Sequence, residues 1–387
     1  MISKDTIILI PSFNILFIPD NAYWGGSELL WSETAIQLAQ LGVNVSVIHR
    51  SSLVFPNKTL DAFGKYGVKC HYRPTTESLG LLGLFKNRIF KSDTFPNKLR
   101  FLVNSISPNL VIYNQGFNFN SFDTWRILSD LNIPFVTVSH ALNEQFWPSS
   151  TMIDSLIGYY NSAKHNFFVS HANALITSHQ LASTPGIFSV VKNPVNSSCI
   201  SDPVNYPDTD SAYNLAFVGR FDFKSKGQDL ILEVLSSDKW RQRSVHINFY
   251  GSGSDEAALQ RLINYKGLTN ATICGYTAPE AIWALNHALV LTSRYEGLPI
   301  VIPEAMLSGR IPIVTDVSGN PELIIDNETG FIARGTTPSS IDEALERAWN
   351  NRLNWKQMGL KARDSILHDY SPSPELVFAN KLLSLLD

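Results

Sequence analysis

Cysteine is scarce in this chain: its 387 residues hold three, Cys70, Cys199 and Cys274, far apart and with no CxxC pair. Zinc centres and dithiol redox chemistry built on such pairs are therefore not expected, and isolated cysteines fit a reducing cytoplasm. An excess of positive charge is also lacking, since Lys and Arg number 31 against 34 Asp and Glu for a formal net charge of -3. Nucleic-acid binding rests on a basic face that neutralises phosphates, so any basic patch must be local. Long apolar runs are missing too. A spanning helix needs about 20 consecutive apolar residues, and polar residues or prolines interrupt every such stretch. The N-terminal stretch Ile7 to Ile18 contains Pro11 and Asn14, with only Lys4 ahead of it, and makes a poor signal peptide. The expected location is the cytoplasm, where triplets such as Asn270-Ala271-Thr272 are chance matches to a glycosylation signal. No tandem repeat of about 20 to 50 residues is visible.

What is present is the composition of a soluble globular protein, 44% apolar and 17% charged, which argues against disorder or a fibrous class. The length exceeds the usual single-core domain of about 100 to 200 residues, so two domains and a cleft between them are expected. Short runs rich in Val, Ile and Phe alternate with helix-length amphipathic stretches, the rhythm of parallel sheets covered on both faces by helices. In the first half the strands read as Ile15 to Pro19, Val45 to His49, Leu110 to Asn114, Phe135 to Ser139 and Phe167 to Ser170, with a first helix over Ser27 to Leu41. In the second half they read as Leu215 to Gly219, Val245 to Tyr250, Thr272 to Gly275, Ala288 to Ser293 and Ile311 to Thr315. Lys192-Asn193-Pro194-Val195 opens a polar tract of linker composition reaching Asp210. This divides the chain into a domain over 1–195, a second over 196–370 and a tail over 371–387. In that tail Tyr370-Ser371-Pro372-Ser373-Pro374 breaks the preceding helix, and the apolar helix Leu376 to Leu386 is expected to pack back on the first domain.

Ligands of doubly wound sheets bind beyond the carboxyl ends of the strands, so motifs at those ends weigh most. Tyr23-Trp24-Gly25-Gly26-Ser27-Glu28 follows the first strand, and its two glycines let backbone approach an anion closely. The plain alternative is a flexible turn with Ser27 as N-cap. Phe217-Val218-Gly219-Arg220, with Lys226-Gly227 at a helix start, places a rigid guanidinium fork and a mobile ammonium where a diphosphate can be neutralised. The alternative is two solvated surface charges. In the segment Arg294 to Met306, Gly297 and Leu298 offer backbone N–H groups to a phosphate, while Glu296 and Glu304 can accept hydroxyls of a sugar and a ribose. The alternative makes Glu296 a solvated loop carboxylate and Glu304 a first-turn acid favoured by the helix dipole. His140, in Val138-Ser139-His140-Ala141 at a strand end, can contact a sugar hydroxyl, although one histidine out of nine at such a place is more often structural.

Taken in this order and spacing, these segments resemble family 4 of the retaining glycosyltransferases, which has the two-domain architecture called GT-B. The resemblance spans nearly the whole chain. It rests most on Val218-Gly219-Arg220 with Lys226-Gly227, Tyr250-Gly251-Ser252-Gly253, Glu296 to Glu304, and Ser318-Gly319-Asn320-Pro321-Glu322, with Val169-Ser170 and Lys192-Asn193-Pro194 similar to the family's last strand and hinge. It implies two Rossmann-like domains facing across a cleft, a nucleotide-sugar donor on the second and an acceptor on the first. It also implies Arg220 and Lys226 on the donor diphosphate, Gly25 and Gly26 against the phosphates, Glu296 and His140 by the donor sugar, and Glu304 on the ribose. The sequence departs from the family where it reads Ser-His-Ala-Leu in place of a frequent His-Asp, and where Pro303 precedes Glu304 in place of a commoner leucine.

The implied chemistry needs no metal or other cofactor, and no Asp-x-Asp motif is placed as a magnesium site. The expected partners are a UDP- or GDP-sugar and a glycan or lipid-linked acceptor, with surface polysaccharide assembly suggested by the family's habits alone. The rivals are a nucleotide-sugar 2-epimerase of similar architecture and a non-catalytic binding scaffold. Between Leu81 and Val103, Lys86, Arg88, Lys91, Lys98 and Arg100 face only Asp93 and interleave with apolar residues. Such a stretch can dock on an anionic membrane, though an ordinary solvated helix and loop reads equally well.

Overall fold

The computed structural model of the chain describes residues 13–73, 95–117, 119, 122–195, 204–208 and 212–386. In the first half the strands are β1 Asn14–Pro19, β2 Asn44–Arg50, β3 Lys69–Arg73, β4 Leu110–Gln115, β5 Phe135–Ser139, β6 Ala141–Leu142, β7 His165–Phe168 and β8 Phe188–Val190. In the second half they are β9 Tyr213–Val218, β10 Val245–Tyr250, β11 Ala271–Gly275, β12 Ala288–Leu291, β13 Glu296–Gly297, β14 Ile311–Thr315 and β15 Phe331–Ala333. Two parallel sheets result, with orders β3-β2-β1-β4-β5-β7-β8 and β11-β10-β9-β12-β14-β15. The fold is thus the expected α/β class with two doubly wound, Rossmann-like domains. Central strands such as Leu110–Gln115, Ala288–Leu291 and Ile311–Thr315 are buried at every position, as covering by helices on both faces requires. Strand order reverses between β1 and β4 and again between β9 and β12, the switch points beside which doubly wound sheets bind their ligands.

Strands Phe135–Ser139, Val245–Tyr250 and Ile311–Thr315 form over the expected residues. The strand expected over Phe167 to Ser170 instead spans His165–Phe168, because Ser170 caps the helix His171–Leu181 and accepts from the Asn173 N–H at 3.2 Å. The first helix runs over Gly26–Gln40 with Gly25 as its N-cap. Ser27 therefore does not cap it; its hydroxyl donates to Glu28 at 2.7 Å. Edge strands β3 and β8 go unannounced by hydrophobic pattern, and β15 is an apolar run of only three residues. Lys69-Cys70-His71-Tyr72-Arg73, for instance, has little to bury on an edge, so composition conceals it.

The C-terminal helix Pro374–Leu383 lies on the first domain. Phe378, Ala379 and Leu382 enter the core formed by β1, β2 and the helix Gly26–Gln40, and Phe378 meets Phe167 edge-on with 4.9 Å between ring centroids. Two polar ties fix the crossing, Lys192 Nζ to the Asp369 carbonyl at 3.0 Å and the Tyr370 hydroxyl to the Asn193 carbonyl at 2.5 Å. Phe378→Ala is expected to lower the unfolding free energy of the first domain by about 3 kcal/mol, read as a shift of its urea transition.

Candidate functional site

The two domains meet at the carboxyl ends of their sheets through backbone. β6 pairs antiparallel with β13, setting Leu142 opposite Glu296 and Ala141 opposite Gly297. A Cβ on Gly297 would fall 1.8 Å from the His140 carbonyl oxygen, so only glycine admits this contact. Gly319 seals it from the other side: its N–H donates to the Gly297 carbonyl at 2.9 Å, and a Cβ there would lie 2.7 Å from the Ser170 Cβ. Glu322 then reaches across the interface to accept from the His171 and Ala172 N–H groups at 3.2 and 2.7 Å, a carboxylate on a helix N-terminus. The Ser318 N–H similarly donates to Glu144 at 3.3 Å. Asn193, in the segment that follows the first sheet, donates to the Leu298 carbonyl at 3.1 Å.

This pairing gathers several of the residues singled out above. Glu296 is nearly buried and accepts from Lys226 Nζ at 2.5 Å and from the Ser293 hydroxyl at 2.6 Å. Lys226 ends the short helix Phe223–Lys226, whose N-cap Asp222 accepts from the Lys224 N–H and the Ser225 hydroxyl. Gly227 then turns the chain with φ of 66°, where a Cβ would lie 2.2 Å from the Thr292 carbonyl. Arg220 lies 61% exposed and rests on Asp222 at 3.2 Å. Burial works against ionising Asp222, yet the Ser225 hydrogen bonds and the Arg220 charge hold its carboxyl below the usual range. Both cations of the expected clamp therefore sit on carboxylates of the same domain. A polyanion arriving here has two preformed ion pairs to exchange with.

His140 is buried at the end of β5, with Nε2 3.3 Å from Asn114 Oδ1. Burial pushes its pKa down to about 4, opposed by the Asn193 side chain, so the ring is neutral at physiological pH. Gly25 and Gly26 open the first helix facing the second domain, where a Cβ on Gly26 would lie 3.3 Å from Ile300 Cδ1. Beside them Glu28 is buried and accepts from Asn21 Nδ2 at 2.6 Å; burial raises its carboxyl. Glu304 is buried in the helix Val301–Leu307, and its charge adds to the burial that raises the Tyr370 hydroxyl. Pro303 falls in the first turn of that helix, where an absent N–H leaves no intrahelical bond unmade. Leu298 buries its side chain below Gly297. Asn114 carries no motif signal of its own and matters through His140, 26 residues away, while Ser318 meets Glu144 across 174.

With this geometry in hand, residues 212–351 match the family model described as glycosyl transferases group 1, a stretch that includes Arg220, Lys226, Glu296 and Glu304. Among characterised proteins the chain is similar to poly(ribitol-phosphate) alpha-N-acetylglucosaminyltransferase of Staphylococcus aureus, 29% identical over 150 residues, 38% of this chain and 30% of that protein. It is also similar to alpha-D-kanosaminyltransferase of Streptomyces kanamyceticus, 33% identical over 135 residues, 34% of this chain and 35% of that protein. The chain thus spans about a third of the length of these relatives. Among solved structures, a glycosyltransferase from Rickettsia africae superimposes with a TM-score of 0.73 at 16% identity, covering 97% of this chain and 99% of that one. HepE of Anabaena, solved with UDP and glucose, gives 0.71 at 14% identity, covering 96% and 99%. The architecture is therefore the two-domain GT-B fold.

Because the folded state holds His140 neutral, an unfolded chain binds the extra proton first as pH falls from about 6.5 toward 4. The histidine's contribution to stability is thus intact above pH 6.5 and declines through that window. His140→Gln is expected to flatten the stability-versus-pH curve between pH 4 and 6.5, measured by urea unfolding.

Proposed function

We propose that the protein is a retaining, metal-independent glycosyltransferase that moves a hexose-type sugar from a UDP- or GDP-sugar to a hydroxyl of a glycan or lipid-linked acceptor. The observation that carries this reading is the Lys226–Glu296 pair at 2.5 Å, held where the two domains share a strand pair. A nucleotide diphosphate leaving group gains negative charge as the glycosidic bond breaks. Cations placed at that charge stabilise the transition state more than the bound donor, which is what accelerates the step. In this reading the donor diphosphate draws Lys226 from Glu296 and Arg220 from Asp222, leaving Glu296 to accept a sugar hydroxyl. Neutral His140 hydrogen-bonds the donor sugar, Glu304 receives the ribose, Gly25 and Gly26 let backbone lie against the phosphates, and Gly297 and Leu298 offer them backbone N–H groups. The acceptor hydroxyl attacks from the face the diphosphate leaves, with a phosphate oxygen taking its proton. The match over the second domain supports the donor side, and the UDP in Anabaena HepE favours a UDP-sugar. The poly(ribitol-phosphate) named for the Staphylococcus aureus relative favours a role in the assembly of a surface polymer.

Lys226→Ala and Arg220→Ala are each expected to lower kcat by about 100-fold or more, as removal of one transition-state donor does elsewhere. Turnover near wild type in both variants would remove the clamp. Incubation with a nucleotide sugar and no acceptor separates the reading from its enzymatic rival, because a 2-epimerase would still convert the sugar to an isomer. A scaffold would give no acceptor-dependent release of nucleotide.

Peripheral contact with an anionic membrane belongs to the same proposal. Lys86, Arg88 and Lys91 lie outside the described residues. Lys98 and Arg100 lie on the helix Phe95–Ile106, which buries Leu99 and Val103 and exposes Phe101, while Arg100 pairs with Asp130. No helix among the described residues is long and apolar enough to cross a membrane. Co-sedimentation with liposomes should rise with their anionic lipid content; no such dependence would end this part of the reading.

A further inference from the structure

The carboxyl ends of three adjacent strands in the first domain hold a charged cluster that the donor chemistry does not use. Asp20 follows β1, while Arg50 and Arg73 are the last residues of β2 and β3, paired in register. Asp20 accepts from Arg73 Nη1 at 2.8 Å and from Arg50 Nη2 at 3.1 Å, and Arg73 donates through Nη2 to the Thr124 hydroxyl at 2.9 Å. The Asp20 N–H donates to the Asn114 carbonyl at 3.0 Å, and the Asn114 side chain meets His140. The cluster and the proposed sugar site thus flank one residue at the end of β4.

Arg73, Asp20 and Thr124 together explain how the sheet end is tied to the helix Phe122–Asp130. Arg50 adds nothing to that tie. It brings a second guanidinium to a carboxylate already engaged, its side chain is 36% exposed, and its Nε is buried with no partner. The two guanidinium groups that converge on Asp20 repel each other at short range, and an incoming anion beside the part-exposed Arg50 would reduce that repulsion. Guanidinium donors match the planar oxygens of phosphate and carboxylate. We infer that Arg50 is the anion-binding residue of an acceptor subsite, and that the acceptor carries a phosphate or carboxylate group close to the hydroxyl that is glycosylated. This rests on the transferase reading, in which the first domain holds the acceptor.

Isothermal titration calorimetry on the full chain saturated with UDP, so that the donor site is filled, tests the inference. Glucose 6-phosphate or glucuronate should bind at one site while glucose does not; which of the two binds more tightly assigns phosphate or carboxylate. Arg50→Gln should weaken that binding at least tenfold and leave UDP affinity unchanged within twofold. Arg50→Lys, which keeps the charge without the fork, should weaken it by a smaller factor, and it serves should the Gln variant not fold. Equal affinity of wild type and both variants, or binding of glucose as tight as that of either anion, would overturn the inference. Failure of UDP itself to bind would count against the donor reading instead, and the same titration without UDP would still test Arg50.

Discussion

The contact between the Gly297 backbone and the His140 carbonyl governs the arrangement of this molecule. Two parallel sheets can face each other at many angles, but here a strand of two residues from each domain pairs directly, and only a residue without a Cβ permits that approach. Around it the interface is polar and directional. Glu322 caps a helix of the other domain, Glu144 accepts from Ser318, and Asn193 donates to Leu298. Such directional bonds fix the orientation of one domain on the other.

The same contact organises the charges. Glu296 is one half of the strand pair, so Lys226, Ser293 and the buried His140 converge on the seam and not on open surface. With His140 neutral and Lys226 held on Glu296, the seam carries cationic charge that is already balanced. That is a resting state suited to exchange with a charged ligand. Unpaired cations there would repel each other, and fully buried pairs would resist exchange.

Much of the fold was legible along the chain, and the misses have physical causes. Buried parallel strands such as Phe135–Ser139 and Ile311–Thr315 announce themselves as unbroken apolar runs bounded by polar turns. Edge strands such as Lys69–Arg73 bury little and leave no such mark. Ser27 looks like a helix cap from its position, but its hydroxyl serves a buried carboxylate one residue away. Pro303 looks disruptive beside Glu304 until the helix start at Val301 places it in the first turn.

Composition and local pattern thus determined the fold class: two parallel α/β domains, joined near Asn193, with polar and glycine motifs at the strand ends. Those features follow from hydrophobic period, turn chemistry and residue type, which act over a few neighbouring positions. Which of those residues touch was decided only by the tertiary structure. Lys226 meets Glu296 across 70 residues, Glu322 meets His171 across 151, and Arg73 meets Asp20 across 53. Contacts at such separations depend on the register of strand pairing and on the angle at which two domains close, and neither is encoded in any local window of sequence.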